Sequence, residues 1–266
     1  MSAPPVGPPR TLRVPGPDGV AVAVHRWGAP GDRPPVVLQH GFAADSFLNW
    51  QFTGVVPALL AAGREVVAVD ARGHGQSDKP HDPGRYGERA MAADLRSVAD
   101  ALDLAEYDLA GYSMGGIIAL LVATGDRRVR RLVVGGIGAG VVEVGGVDTR
   151  TLPTPALVAA LEADDPASVT DPLAAAFRRL ADGTGADRLA LAAQARAVHA
   201  EPIALGDIAV PTLVLAGDDD PRAVRPQVLA GAVPGATLTL VPGDHLSAVA
   251  APEFVAALVD FLAVRS

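Results

Sequence analysis

The sequence predicts an α/β fold in which an N-terminal antiparallel hairpin leads into a mostly parallel, doubly wound β-sheet. Short apolar runs alternate along the chain with helical patterns, as expected when parallel strands are joined by helices. Most of these runs are continuously apolar rather than alternating, which is typical of strands covered on both faces. Residues 141–205 contain no convincing strand, and this gap predicts a small helical insertion.

The predicted strands follow one another in the order of the chain. Residues 11–14 and 20–27 flank the turn PGPDG and form the hairpin. Apolar or β-branched runs predict further strands at residues 35–39, 65–70, 107–111, 131–135, 212–217 and 237–241. In sheets of this kind ligands bind beyond the carboxyl ends of the strands, so the residues that follow each run are candidates for a site.

Helical patterns lie between these runs. Residues 55–62 precede a glycine stop, residues 89–102 carry apolar side chains on one face, and residues 254–264 repeat that pattern. Together with the strands, they predict the covering layers of the sheet.

The strand-free gap divides the chain into a core and an insertion. The predicted units are a flexible tail at residues 1–10, the core at 11–140 and 206–266, and a helical lid at 141–205. Within the lid, Asp171 followed by proline is typical of a helix start, and a second helix is predicted over residues 187–199. The glycine-rich segment 133–140 has no helical pattern after it and is interpreted as the flexible entry to the lid.

The composition excludes several classes of function. The formal charge is −8 and no basic run stands out, so no nucleic-acid partner is expected. The chain has no cysteine, which excludes disulfides, thiol catalysis and cysteine-bound metals. The uncharged stretch 109–125 falls short of the roughly 20 apolar residues that a membrane span needs, so we expect a buried helix there. Residues 1–10 lack the apolar centre of a signal peptide, and we expect a cytoplasmic protein.

Ser113 lies at the centre of a G-x-S-x-G pattern, GYSMG, between a β-run and a helical segment. In this context a serine on a sharp turn is exposed above the sheet. Glycine at positions 111 and 115 removes side chains that would clash with the turn. The pattern predicts a nucleophilic serine, which needs a base to take up its proton.

His245 is the candidate base among the six histidines. It follows the last β-run and precedes the last helix, which places it at the same sheet edge as Ser113. By contrast, His25 is expected to be a half-exposed residue of the hairpin. Three aspartates at positions 218–220 end another strand, and one carboxylate there would orient the imidazole. The order serine, aspartate, histidine matches a known triad arrangement, but spacing does not choose among the three aspartates.

Together these segments resemble the α/β-hydrolase family over nearly the whole chain outside the tail. The motifs that carry the resemblance are LQHGF (38–42), VDARGHGQSD (69–78), GYSMGG, GDDDP and PGDH. The resemblance implies that Ser113 is the nucleophile, His245 the base and Asp220 the acid of a triad. It also implies an oxyanion hole formed by the backbone N–H groups of Phe42 and Met114.

Other residues of these motifs have structural interpretations. The resemblance implies that His40 braces the oxyanion loop and that Asp70, Arg72 and Ser77 pin a neighbouring loop. Trp50 either lines the pocket or packs in the core.

The sequence therefore predicts a serine hydrolase that cleaves small to medium apolar esters or lactones through an acyl-enzyme, with no cofactor and no metal. The apolar preference rests on the Ala- and Leu-rich lid and an aromatic content of 4%. Serine at the turn disfavours haloalkane dehalogenation and epoxide opening, which in this family normally use aspartate. Three alternatives stay open: a hydrolase of carbon–carbon bonds in diketone-type substrates, a cofactor-free perhydrolase, and a small-molecule receptor. The expected partner is a small-molecule ester, and a homo-oligomer is compatible with the sequence.

Overall fold

Eight strands occur in residues 6–264, the part of the chain that the computed structural model describes. They are β1 (Arg10–Pro15), β2 (Ala21–Trp27), β3 (Val36–Gln39), β4 (Val66–Asp70), β5 (Tyr107–Tyr112), β6 (Val129–Gly135), β7 (Thr212–Gly217) and β8 (Thr237–Val241). They form one sheet in the order β1-β2-β4-β3-β5-β6-β7-β8. β2 pairs antiparallel with β1 and β4, and every other neighbouring pair is parallel. The predicted hairpin and mostly parallel sheet are confirmed.

Four of the inner strands are buried along their whole length. Every residue of β3, β4, β5 and β7 is buried, whereas the edge strand β8, with the alternating sequence TLTLV, stays partly exposed. Continuous apolar runs therefore mark strands that are covered on both faces, because each successive side chain must enter an apolar layer.

Helices cover both faces of the sheet. On one face lie α1 (Val55–Ala61) and α9 (Pro252–Ala263), and on the other lie α2 (Glu88–Ala101), α3 (Met114–Ala123) and α8 (Pro226–Ala232). All residues of α3 from Met114 to Val122 are buried, which explains the absence of charge in that stretch. No helix among residues 6–264 has the length and apolarity to cross a membrane.

Four helices lie between β6 and β7: α4 (Ala139–Val144), α5 (Thr154–Glu162), α6 (Pro172–Thr184) and α7 (Arg188–Ala195). Asp171 begins α6 as predicted, since its carboxylate accepts hydrogen bonds from the N–H groups of Leu173 and Ala174. The helices α5, α6 and α7 share an apolar cluster around Leu161 and Phe177. This cluster includes Ala43, in the loop after β3, and so joins the insertion to the edge at which the parallel strands end.

Several sequence interpretations need correction. The glycine-rich entry to the insertion leads directly into α4, which begins at Ala139, two residues before the predicted boundary. The helix predicted over 187–199 ends at Ala195. His25 is fully buried rather than half-exposed, because its ring packs against Phe47 and lies within hydrogen-bonding distance of Asp70. Of the predicted tail, residues 1–5 lie outside the described residues and Arg10 already belongs to β1.

Candidate active site

Ser113 occupies the turn between β5 and α3 in a strained backbone conformation. Its φ of 54° and ψ of −118° are unusual for a residue with a side chain. A Cβ on Gly111 would overlap the carbonyl oxygen of Gly115, and a Cβ on Gly115 would overlap that of Gln39. Both flanking positions therefore require glycine for the turn to pack between β3 and α3, which leaves the serine hydroxyl exposed at the strand end.

The structure brings Ser113, His245 and Asp220 into one hydrogen-bonded chain. The Nε2 atom of His245 lies 2.9 Å from the Oγ atom of Ser113. Its Nδ1 atom lies 2.9 and 3.1 Å from the two carboxylate oxygens of Asp220. Because an ionised carboxylate only accepts, this arrangement favours the tautomer with the proton on Nδ1, which leaves Nε2 free to accept the serine proton.

The three aspartates after β7 have different surroundings. Asp220 is buried, and its carboxylate also accepts hydrogen bonds from the N–H groups of Arg222 and Ala223. Asp218 instead accepts from the N–H of Gly243, and the side chain of Asp219 is exposed. Of the three, the structure places only Asp220 against His245 among the described residues.

Two backbone N–H groups beside Ser113 have no hydrogen-bond acceptor within residues 6–264: those of Phe42 and Met114. The neighbours of Phe42 are engaged, since the N–H of Gly41 donates to the Oδ1 atom of Asn49 and that of Ala43 to a histidine ring. A Cβ on Gly41 would lie 3.3 Å from that of Ser113, so this loop packs directly against the serine. Free donors at this place can bind an anionic oxygen.

Two buried histidines hold the loop that carries Phe42. The Nε2 atom of His40 accepts from the N–H of Ala71, and its Nδ1 atom donates to the carbonyl of Gly41. The Nε2 atom of His74 accepts from the N–H of Ala43 at 3.2 Å. Burial lowers the pKa of both rings, that of His74 to about 3, so both are neutral and can accept these bonds. These contacts agree with the bracing interpretation of His40.

The D-x-R-G-x-G-x-S segment is tied to its surroundings by buried hydrogen bonds. The carboxylate of Asp70 accepts from the N–H groups of Ser46 and Gln76. The hydroxyl of Ser77 donates to the carbonyl of Asp70, and the Arg72 guanidinium contacts the carboxylate of Asp94. The loop beside the oxyanion segment is therefore fixed by polar contacts rather than by regular secondary structure.

Sequence reasoning missed three residues that position this site. Asn49 fixes the N–H of Gly41, His74 fixes that of Ala43, and the hydroxyl of Tyr112 donates to the carbonyl of His245 at 2.8 Å. Tyr112 and His74 both lie inside recognised motifs, at positions that the motif patterns leave unspecified and that carry no signal of their own. Trp50, which had two interpretations, is fully buried against the core, on the side of α1 and α9.

Comparisons with known proteins agree with this architecture. A family model described as the alpha/beta hydrolase fold matches residues 34–138. A hydrolase from Pseudomonas aeruginosa is similar at 27% identity and a TM-score of 0.77, over 96% of this chain and 99% of that chain. The chain has the α/β-hydrolase fold. The enol-lactonase from Burkholderia xenovorans is a further structural match, at 26% identity and a TM-score of 0.71, over 96% of this chain and 100% of that chain.

A relative of known name matches part of the sequence. The 2-hydroxy-6-oxo-2,4-heptadienoate hydrolase of Pseudomonas putida is 36% identical over 134 residues, which are 49% of this chain and 46% of that protein. The chain spans less than half the length of the curated relatives that it matches first.

Two cavities meet at Ser113. The inner pocket lies under the insertion and is lined mainly by apolar residues of α3, the entry to α4, α5 and α6. The outer pocket is lined by Leu48, Phe52, Leu180, His245, Leu246 and Val249, among others. Phe42, Ser113 and Phe177 line both pockets. A substrate bound across the serine can therefore place one half in each.

Proposed function

We propose that this α/β-hydrolase is a serine hydrolase that cleaves carboxylic esters through an acyl-enzyme. The observation that carries the proposal is the continuous chain from Ser113 to His245 to Asp220, beside two backbone N–H groups without an acceptor in residues 6–264. A base in contact with the hydroxyl and donors for an oxyanion are the two requirements of acyl transfer.

The first half of the reaction forms the acyl-enzyme. The Oγ atom of Ser113 attacks the ester carbonyl carbon while its proton passes to the Nε2 atom of His245. The carbonyl oxygen becomes an oxyanion and accepts hydrogen bonds from the N–H groups of Phe42 and Met114. Asp220 stabilises the imidazolium, which then protonates the leaving alkoxide as the carbon–oxygen bond breaks.

The second half releases the acid. A water molecule replaces the alcohol, His245 takes its proton, and the resulting hydroxide attacks the acyl carbon. The tetrahedral intermediate collapses with proton return from His245 to the Oγ atom of Ser113. Each oxyanion donor is expected to contribute about a hundredfold or more to the rate.

The comparisons support ester chemistry in general terms. The enol-lactonase acts, by its name, on a lactone, which is a cyclic ester. A second candidate is hydrolysis of a carbon–carbon bond next to a carbonyl in a diketone-type substrate with the same three residues. The observation that favours it is the 36% identity over 134 residues with a hydrolase of a hydroxy-oxo-dienoate.

The nucleophile is tested with a fluorophosphonate probe and intact-protein mass spectrometry. We expect one probe adduct on the wild-type chain, none on Ser113→Ala, and an unchanged adduct on Ser168→Ala, a variant of a serine in an exposed turn of the insertion. Labelling of Ser113→Ala would refute the assignment.

The reaction class is tested by rates. We expect p-nitrophenyl esters to give a burst of p-nitrophenol equal to the enzyme concentration. Faster turnover of 1,3-diketones than of any ester in a chain-length series would favour the carbon–carbon hydrolase.

A further inference from the structure

The inner pocket contains a cation that the catalytic cycle does not use. Arg222 lies two residues after Asp220 and lines the same cavity as Ser113 and Phe177. Its guanidinium carbon lies 5.7 Å from the centre of the Phe177 ring, a distance typical of a cation–π contact. No sequence motif singles out this arginine.

Arg222 has few polar partners. Its Nη1 atom lies 3.5 Å from the Oγ1 atom of Thr151, longer than a usual N–H···O hydrogen bond. No carboxylate oxygen of residues 6–264 lies within 4.0 Å of the guanidinium. The neighbouring arginines differ, since Arg150 pairs with Asp148 and Arg225 pairs with Glu143. Most of the five N–H donors of Arg222 are therefore available to a ligand.

The surroundings favour an anionic ligand. Burial lowers the pKa of Arg222, because the charged form loses hydration and the attraction of the Asp220 and Asp148 carboxylates offsets this loss only in part. The carboxylates nearby are occupied, since Asp220 faces His245 and Asp148 accepts three hydrogen bonds from Arg150. A bound carboxylate would provide the missing counter-charge and match the planar guanidinium geometry.

Acidic side chains in the inner pocket do not cancel this attraction. Asp148 is neutralised by Arg150, as described above. Glu88 lines the pocket as well, but burial raises its pKa to about 7, and one oxygen accepts from the N–H of His199. Near neutral pH this carboxyl is in part uncharged.

The position of His245 assigns each half of the ester to a pocket. The leaving oxygen must approach His245 to receive its proton, and His245 lines the outer pocket but not the inner one. The leaving group therefore lies in the outer pocket, and the acyl group lies in the inner pocket with Arg222.

We propose that Arg222 is a specificity-determining residue that binds a carboxylate on the acyl half of the substrate. The substrate class is then monoesters of dicarboxylic acids, or lactones that carry a carboxylate on the acyl chain. This inference rests on the proposed ester hydrolysis and refines the apolar substrate that the sequence predicted.

The test compares matched charged and neutral esters. Mono-p-nitrophenyl adipate and suberate carry the carboxylate, and their methyl esters, p-nitrophenyl methyl adipate and suberate, are the neutral partners. The quantity measured is the ratio of kcat/KM for the charged ester to that for its neutral partner, since a general loss of activity cancels in this ratio. We expect the wild-type ratio to exceed one.

The variants are Arg222→Gln, Arg222→Lys and the control Arg225→Gln. We expect Arg222→Gln to lower the ratio about 10- to 100-fold, the range for a hydrogen bond between charged groups. Arg222→Lys should restore part of it because the charge remains without the planar fork. Arg225→Gln removes a nearby positive charge that lines neither pocket and should leave the ratio within about twofold.

Three outcomes would overturn the inference. One is a wild-type ratio below one with both acids; another is an equal fall of the ratio in Arg222→Gln and Arg225→Gln. The third is an Arg222 dependence that appears only when the carboxylate is on the leaving group, as in 4-acetoxybenzoate compared with its methyl ester.

A binding measurement separates this inference from the proposed function. Calorimetry on Ser113→Ala should give tighter binding of monomethyl adipate than of dimethyl adipate, and the added Arg222→Gln change should remove the difference. If the wild-type chain hydrolyses no ester while this difference is present, the reaction class is wrong and the anion site stands. If esters are hydrolysed and the difference is absent, the anion site is wrong and the hydrolase stands.

Discussion

Glu88 provides a quantitative test of how burial affects stability. It is the first residue of α2, is 1% exposed, and accepts a hydrogen bond of 2.6 Å from the N–H of His199. Burial disfavours the carboxylate more strongly than this bond favours it, and the pKa rises from 4.5 to about 7. We consider the variant Glu88→Gln, which stays neutral at every pH and keeps a carbonyl acceptor for His199.

The sign follows from proton binding. Because the pKa of Glu88 is higher in the folded state, the folded chain binds more protons than the unfolded chain between about pH 4.5 and pH 7. The contribution of Glu88 to stability is therefore intact below pH 4.5, is lost as the pH rises through 7, and changes little above that. At about 1.4 kcal/mol per pKa unit, the loss at high pH is about 3 kcal/mol.

Urea unfolding at pH 5 and pH 8.5 measures the effect. We expect Glu88→Gln to be more stable than the wild type by about 1 kcal/mol at pH 5 and by about 3 kcal/mol at pH 8.5. The control is Glu253→Gln, an exposed glutamate in the first turn of α9, for which we expect a small difference that does not grow with pH. A difference between Glu88→Gln and wild type that is the same at both pH values would refute the reasoning.

Three further substitutions test the catalytic edge. Asp220→Asn should lower kcat for a p-nitrophenyl ester about 10⁴-fold, because the change disturbs the tautomer of His245. The control Asp219→Asn, at an exposed position, should retain most of the wild-type kcat. Equal losses of kcat in steady-state assays of the two variants would contradict the assignment. Gly115→Ala should destabilise the fold by about 3 kcal/mol or more in urea unfolding, because the new Cβ would overlap a β3 carbonyl. The control Gly125→Ala has free space around its Cβ and should change the stability little. A Gly115→Ala variant with the stability of the wild type would show that the turn can relax. Asn49→Ala should lower kcat about tenfold or more with little change in KM, because the loop that carries Phe42 loses the hydrogen bond between the Gly41 N–H and the Asn49 side chain. A change confined to KM would instead assign Asn49 to substrate binding.

Much of the fold could be predicted because its signals are local. Continuous apolar runs mark strands that are buried on both faces, and the Asp-Pro start of α6 is read directly from adjacent residues. The helix α4 was not predicted, since a glycine-rich stretch has little helical propensity and its first residues are buried by tertiary packing instead.

The residue types of the candidate site could be predicted from the sequence, but which of several adjacent residues takes part could not. Ser113 and His245 follow strands of the sheet, so topology alone places them at one edge. Three adjacent aspartates share that edge, and only the direction of each side chain in the folded turn separates them: Asp220 faces the imidazole, while Asp218 faces the N–H of Gly243. Spacing along the chain contains no information on that direction.

The least predictable feature of the site is whether a charged side chain has an ion-pair partner. An arginine two residues after an aspartate is ordinary in sequence, and the neighbouring arginines of this chain do form ion pairs. Whether Arg222 has a partner depends on residues of the loop after β7, of α6 and of the loop before α5, which meet only in the folded state.

The sheet and the insertion contribute different parts of the site, which explains why substrate specificity is harder to predict from sequence than the type of reaction. Ser113, Asp220 and His245 follow β5, β7 and β8, so their separation is set by the hydrogen-bonded spacing of a buried sheet. The insertion adds walls, such as Phe177, to both pockets and contributes no member of that chain of hydrogen bonds. Changes in the insertion can therefore alter which acyl group fits without moving the reacting atoms. Arg222 differs from both groups, because it lies two residues after Asp220 and also lines the inner pocket, so a change there can affect both the proposed ligand and the Asp220 carboxylate.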